Sequence, residues 1–126
     1  MHVSRVAAVC GGTAALGVVV WLLFFQNSGP PKVGVERGEE LVEGGSCRSC
    51  HQQGNVFRAP PLEGLYGKTR KLVDGREVKA DDAYLLKSLV SPRADVVEGY
   101  AANMPGFGGV WSEKDLENVL LYLKSL

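Results

Sequence analysis

The sequence has no excess of either charge. Its 126 residues include 14 Lys or Arg and 14 Asp or Glu, so the formal net charge at pH 7 is zero. A nucleic-acid-binding domain shows a marked basic excess, and a chain of this length suits one small domain. The composition therefore excludes a nucleic-acid partner and predicts a single domain.

Side chains that bind transition metals are also scarce. The chain has three Cys, two His and two Met. Beyond residue 25, only Cys47, Cys50, His51 and Met104 remain. A structural zinc site needs four Cys or His ligands, and this part of the chain has three. A zinc site within it is therefore excluded, and these four residues are the candidates for metal chemistry.

Charge is absent altogether from residues 6–25, VAAVCGGTAALGVVVWLLFF. About 20 apolar residues span the hydrocarbon core of a bilayer. A cleaved signal peptide is the alternative, but its apolar region is shorter, and no small-x-small cleavage site follows this run. We therefore predict an N-terminal transmembrane helix in residues 1–25, with Arg5 on the cytoplasmic side.

Residues 26–35 are predicted to form a short linker. They include Pro30 and Pro31, which stiffen the chain, and an extended chain spans at most about 3.6 Å per residue. The domain in residues 36–126 is therefore expected to stay close to the membrane, which favours a partner fixed in the same membrane.

The segment Cys47-Arg48-Ser49-Cys50-His51 matches the five-residue pattern C-x-x-C-H. In c-type haem attachment the two thiols bond to the haem vinyl groups, and the His binds the iron. A thioredoxin-like dithiol is the alternative, but it needs a βαβ context that this sequence lacks. The motif predicts one covalent haem c, held by Cys47 and Cys50, with His51 as an iron ligand. Because bacteria attach this haem outside the cytoplasmic membrane, we expect the domain on the periplasmic side of the bacterial inner membrane.

The second iron ligand is predicted by elimination. His2 and Met1 precede the predicted membrane span, which leaves Met104, in the loop Asn103-Met104-Pro105-Gly106. A thioether ligand raises the reduction potential, and a six-coordinate iron has no vacant position for a substrate. The expected function is single-electron transfer without a small-molecule substrate, so the chain is predicted not to be an enzyme.

Two other functions remain open at this point. If Met104 only packs against apolar side chains, an open distal site would suit a gas-binding or sensing haem protein. A c-type peroxidase would require a second haem, and the chain has one attachment motif.

Three helices and one hairpin are predicted around these residues. Helical spacing and end signals place helices at about Glu36–Gly44, at Ala83–Val90, and after a capping-box variant that begins at Ser112. Asp74-Gly75 between two short alternating segments predicts a hairpin. Five basic residues in and near this hairpin would either steer an acidic partner or form an ordinary solvated surface: Lys68, Arg70, Lys71, Arg76 and Lys79.

Several short segments after the haem motif form a recognisable set: Gly64–Arg70, Asp74-Gly75, Asp82–Leu85, Ser91–Ala94, Gly99-Tyr100, Asn103–Pro105 and Tyr122–Leu126. With the motif, they make the stretch from Gly38 to Leu126 resemble class I c-type cytochromes. The resemblance is closest to the cytochrome c domain fused to subunit II of caa3-type cytochrome oxidases.

The resemblance implies an all-α class I cytochrome c fold around one covalent haem, here with a small β-hairpin insertion and an N-terminal transmembrane helix. It implies that the first and last helices cross near Gly38 and Tyr122. It further implies that the carbonyl of Pro60 accepts the Nδ1 proton of His51 and orients the ring.

The resemblance also makes Tyr66 and Trp111 candidates for contacts with the haem. One departure is informative: subunit II carries a dinuclear copper site built from two Cys, two His and a Met, and this chain lacks the residues for it. We therefore expect a free-standing relative with its own anchor. It would be a subunit or tethered partner of a respiratory complex, between a quinol-oxidising complex and a terminal oxidase.

Overall fold

The structure is a computed structural model that describes residues 31–52, 54 and 58–126. The chain divides into two compact units, Met1–Pro31 and Lys32–Leu126. The predicted transmembrane helix in residues 1–25 and most of the predicted linker lie outside the described residues. Within the described part of the chain, none of the helices combines the length and the apolar character needed to cross a membrane.

The described residues contain four helices and one two-stranded sheet. The helices are α1 (Val35–Gly44), α2 (Arg48–His51), α3 (Asp82–Val90) and α4 (Glu113–Ser125). The strands β1 (Thr69–Lys71) and β2 (Glu77–Lys79) pair antiparallel. The predicted helices are thus present to within one residue at their described ends, and the predicted hairpin is present as well.

Helices α1 and α4 cross in direct contact at Gly38. A Cβ atom placed on Gly38 would lie 2.1 Å from the backbone oxygen of Asn118 and 2.7 Å from Cβ of Tyr122. No side chain fits at that separation, so glycine is what allows the two backbones to approach. The contact is the crossing that the resemblance implied for Gly38 and Tyr122.

Polar contacts hold the same pair of helices at their ends. The Ser112 hydroxyl accepts a hydrogen bond from the backbone N–H of Asp115 at 3.1 Å and so caps α4. Asp115 in turn accepts from Arg37 of α1 at 3.1 Å. The Ser112 hydroxyl, followed by the Arg37 guanidinium, lowers the pKa of the Asp115 carboxyl. The side chain of Asn118, which is 4% exposed, accepts from the backbone N–H of Gly34 at 2.9 Å, at the start of α1.

The apolar core lies between these helices, α3 and the loop that precedes the hairpin. α4 contributes most of its inner face, and α3 contributes a leucine pair at helical spacing. The members of this core are Val42, Leu62, Leu65, Ala80, Leu85, Leu89, Leu116, Val119, Leu120, Tyr122 and Leu123.

The hairpin is joined to the segment that follows α3. The backbone N–H of Val73 donates to the Val96 carbonyl at 2.9 Å, and the N–H of Glu98 donates to the Lys71 carbonyl at 2.8 Å. At the hairpin tip, Asp74 accepts from the backbone N–H of Arg76 at 3.0 Å, which explains the turn. Residues 96–98 therefore lie beside the hairpin.

Two of the five basic residues in the predicted patch pair with carboxylates of the same domain. Arg76 pairs with Asp74 at 2.7 Å and with Asp95 at 2.6 Å. Lys71 pairs with Glu98 at 3.1 Å, and Arg70 takes the half-buried position between two exposed neighbours on β1. These contacts favour a solvated surface over a surface that steers an acidic partner.

We expect Gly38→Ala to lower the free energy of unfolding by about 3 kcal/mol or more, because its methyl group would overlap backbone atoms of α4. Alanine has the higher helix propensity, so propensity alone predicts the opposite sign. Urea unfolding of the haem-loaded protein measures the change. The matched control is Gly44→Ala in the same helix, where nothing lies within 4 Å of an added Cβ. Equal stabilities for the two variants would contradict the close crossing.

Candidate functional site

A cavity of about 330 Å³ opens inside the domain, with mainly apolar walls. Residues 45–51 form one wall, and the loop at residues 58–65 forms the next. One face of α3 and the loop at residues 95–107 close it, together with two side chains of α4. The cavity therefore lies where the core of a small domain would otherwise be filled by side chains.

The structure brings all five predicted site residues together at this cavity. Cys47, Cys50, His51, Pro60 and Met104 each line it. They come from three separate parts of the chain, the turn of α2, the following loop and the loop after α3. Both thiols are free and half-buried, and burial raises the pKa of the Cys47 thiol.

The orientation of the His51 ring is set by a hydrogen bond. Nδ1 of His51 lies 2.6 Å from the carbonyl oxygen of Pro60. Because a carbonyl oxygen can only accept, Nδ1 carries the proton and the lone pair of Nε2 is available to a metal. Burial lowers the pKa of His51, so the ring is neutral at pH 7. Neutral imidazole with a free Nε2 is the form that binds iron.

The loop that carries Met104 is pressed against the end of α3. The backbone N–H of Phe107 donates to the carbonyl of Leu89 at 2.8 Å. A Cβ on Gly106 would lie 3.0 Å from the carbonyl oxygen of Val90, and a Cβ on Gly108 would lie 2.9 Å from Cγ1 of Val90. Small residues thus let the loop approach the helix, and the same loop carries Met104, which lines the cavity.

Arg48 occupies one of the unspecified positions of the C-x-x-C-H motif. Its hydrogen bonds connect the motif to distant parts of the fold. Its guanidinium donates to Glu43 at 2.7 Å, to Glu63 at 2.6 Å and to the Tyr122 hydroxyl at 2.8 Å. These acceptors, Glu63 first, raise the pKa of Arg48. The pattern C-x-x-C-H says nothing about this position, so sequence reasoning had no signal for the network.

Tyr66 and Trp111, the other candidates for haem contacts, are not among the described residues that line the cavity. The Tyr66 hydroxyl donates to Asp82 at 2.7 Å on the surface. Trp111 stacks on Phe107 with ring centroids 4.0 Å apart, and Phe107 is the one of the two that reaches the cavity wall. The polar residues that do line it include Arg58, Tyr84 and Asp95, which the sequence did not single out.

The residues present fit a covalent c-type haem. The cavity is walled by core side chains, and its border carries two thiols at C-x-x-C spacing, an imidazole with a free Nε2 and a thioether. A structural zinc site would need a fourth Cys or His ligand. Among the described residues, no cluster of three or more His, Cys, Asp or Glu could hold a metal ion.

Comparison with known proteins agrees with this fit. The protein-family model described as "Cytochrome C oxidase, cbb3-type, subunit III" matches residues 34–123. Among solved structures, cytochrome cH from Methylobacterium extorquens is similar, with a TM-score of 0.52 and 22% identity over 74% of this chain and 99% of that one. At this identity the likeness shows the fold alone, which is the class I cytochrome c fold. No curated protein matches the chain.

We expect Tyr122→Phe to lower the free energy of unfolding by about 1 kcal/mol, because the partly exposed Arg48 loses a hydroxyl acceptor at the buried end of its network. The matched control is Tyr66→Phe, since the Tyr66 side chain is 39% exposed and its partner Asp82 also pairs with Lys124. Its effect should stay below about 0.5 kcal/mol. Urea unfolding of both haem-loaded variants checks the difference, and equal losses would argue against a role for α4 in holding the motif.

Proposed function

The chain belongs to the cytochrome c family described as cbb3-type cytochrome c oxidase subunit III, and from this we infer that it transfers single electrons through a haem iron bound by His51 and Met104. Membership makes it a monohaem c-type cytochrome, an electron carrier. Its one haem c is bound covalently, and Cys47 and Cys50 occupy the attachment positions.

The observation that carries the proposed ligation is the convergence of His51 and Met104 on one cavity. The two residues are separated by most of the described domain, yet both line the cavity that the attachment cysteines border. Beyond residue 25 the sequence offers no other His or Met. An imidazole on one side and a thioether on the other would complete the coordination of the iron.

Haem c supplies an iron that changes between the ferrous and ferric states. The chain's own residues set the conditions for that change. The carbonyl of Pro60 keeps His51 in the Nδ1-protonated tautomer. As a ligand, the Met104 thioether would favour ferrous iron, and mainly apolar side chains would surround the haem. With His51 and Met104 both bound to the iron, electron transfer would require little rearrangement and no bond to a substrate.

We also propose that this cytochrome is held at the periplasmic face of the bacterial inner membrane. There it would act as a subunit or tethered partner of a respiratory complex, between quinol oxidation and a terminal oxidase. The support is the uncharged run in residues 6–25, the short linker after it, and a family whose description names an oxidase. The resemblance to the cytochrome domain of caa3-type subunit II also supports a position between quinol oxidation and a terminal oxidase.

The proposal is tested by recording the visible spectrum and measuring the reduction potential of the haem-loaded parent protein and of two variants substituted at Met104. We expect the oxidised parent to show the weak far-red sulfur-to-iron band of His/Met ligation, and both Met104→Ala and Met104→His to lose it. Met104→Ala should bind carbon monoxide when reduced, because one axial position is open. Met104→His should not bind it, and its potential should fall, since imidazole replaces the thioether.

The same experiment distinguishes the proposed electron carrier from the main alternative, a gas-binding or sensing haem protein. If the parent lacks the far-red band and binds carbon monoxide readily when reduced, the iron has an open distal site. Met104 would then be a packing residue, and the protein would be a gas-binding or sensing haem protein.

A further inference from the structure

The segment that carries the Pro60 carbonyl has no backbone donor of its own at that point. Pro60 and Pro61 both lack a backbone N–H, so neither can donate a hydrogen bond to the rest of the domain. Leu62 and Leu65 are buried in the core, but apolar packing is non-directional. The position of the carbonyl relative to His51 therefore depends on polar contacts made by neighbouring residues.

Two such contacts join the segment to the haem motif. The backbone N–H of Leu62 donates to the His51 carbonyl at 3.4 Å, which is long for a hydrogen bond of this type. Nη1 of Arg48 donates to the Glu63 carboxylate at 2.6 Å, in a part-buried position. A short, charge-assisted hydrogen bond is the stronger of the two. The contact between Arg48 and Glu63 is therefore the main link from the motif to the residues that follow Pro60.

Arg48 is itself held by two helices. Its Nε donates to Glu43 at 2.7 Å, at the end of α1, and its Nη2 donates to the Tyr122 hydroxyl at 2.8 Å, on α4. The guanidinium is planar, and its N–H groups form a fixed fork. Acceptors on two helices therefore define the direction of the third donor, Nη1, and with it the position of Glu63.

We propose that Arg48 is a positioning residue for the iron ligand: through Glu63, it keeps the Pro60 carbonyl within hydrogen-bonding distance of Nδ1 of His51. A hydrogen bond at Nδ1 orients the imidazole ring and makes Nε2 a stronger donor to a metal. Arg48 thus acts through two other residues of the chain. The inference rests on the proposed binding of iron by His51 and is independent of ligation by Met104.

A general structural role is the alternative, and the two carboxylate partners of Arg48 allow the roles to be separated. Glu43 and Glu63 accept from the same guanidinium, but only Glu63 belongs to the segment that carries Pro60. Removing either one breaks a charge-assisted hydrogen bond and deletes one negative charge. A difference between the two variants therefore reports on the position of the carbonyl and not on charge or overall stabilisation.

The experiment follows, by NMR of the haem-loaded ferrous protein, how fast the Nδ1 proton of His51 exchanges with solvent. We expect Arg48→Gln and Glu63→Ala each to speed this exchange about tenfold, because the hydrogen bond to Pro60 opens more often. The matched control, Glu43→Ala, should stay within about twofold of the parent.

The backbone N–H of Val119 serves as an internal reference for the whole domain. Val119 lies within α4 and is 1% exposed, so its exchange reports on opening of the core. A loss of overall stability speeds exchange at both positions, whereas a positioning role speeds it at His51 and leaves Val119 unchanged. If Arg48→Gln does not yield haem-loaded protein, the comparison of Glu63→Ala with Glu43→Ala decides.

The double variant Arg48→Gln with Glu63→Ala tests whether the two residues act through one contact. Its exchange rate at His51 should not exceed that of the faster single variant, because changes that remove the same contact are non-additive. The double variant also deletes one positive and one negative charge, so its net charge equals that of the parent. Weaker donation from His51 should then raise the ratio of reduced to oxidised protein at a fixed potential by about threefold.

Three outcomes would overturn the assignment of Arg48. They are equal exchange rates at His51 in Glu63→Ala and Glu43→Ala, a matching rise at Val119 in the Arg48→Gln variant, and additive effects in the double variant. The ring protons of His51 test the proposed function separately, since a ligand of the iron experiences the ring current of the haem. Without ring-current shifts in the parent, iron binding by His51 is contradicted; with those shifts and equal rates, only the assignment of Arg48 is.

Discussion

The contact between α1 and α4 at Gly38 is the constraint on which the rest of this fold depends. The separation leaves no space for a Cβ, so the two helices lie in direct backbone contact, and other contacts accompany this one. Arg37 reaches Asp115, and Asn118 holds the backbone where α1 begins. At the far end of α1, Arg48 reaches the hydroxyl of Tyr122. The turn that carries the attachment cysteines is thereby held in place relative to the last helix.

The haem site is built into the core and is not attached to its surface. Val42, Leu85, Leu89 and Leu123 belong to the apolar core and also line the cavity. A domain of this size buries a modest apolar area by itself, so the bound haem completes the packing. Stability and cofactor binding are therefore coupled, and a change that loosens the helices should also loosen the walls around the iron.

Signals that are local in the sequence predicted most of the secondary structure of this domain. Capping residues such as Ser112 and Asp81 act within one turn of the chain, and the turn at Asp74-Gly75 needs only its neighbours. Three of the four described helices and the hairpin were therefore predictable to within about a residue, whereas the short helix α2 was not predicted. The interpretation of the hairpin charges was less secure, because the partners Asp95 and Glu98 lie about twenty or more residues away in the chain.

By itself, the sequence determined the chemistry available to this protein. The spacing of Cys47, Cys50 and His51 defines haem attachment, and the scarcity of His and Met leaves Met104 as the candidate for the second ligand. Only the tertiary structure decided which groups surround these haem-binding residues. It joins Arg48 to Glu63 and to the hydroxyl of Tyr122, and it brings Met104 to the same cavity as His51. The physical reason is that these contacts join side chains from separate segments, whose approach depends on the packing of the whole domain and not on any local pattern.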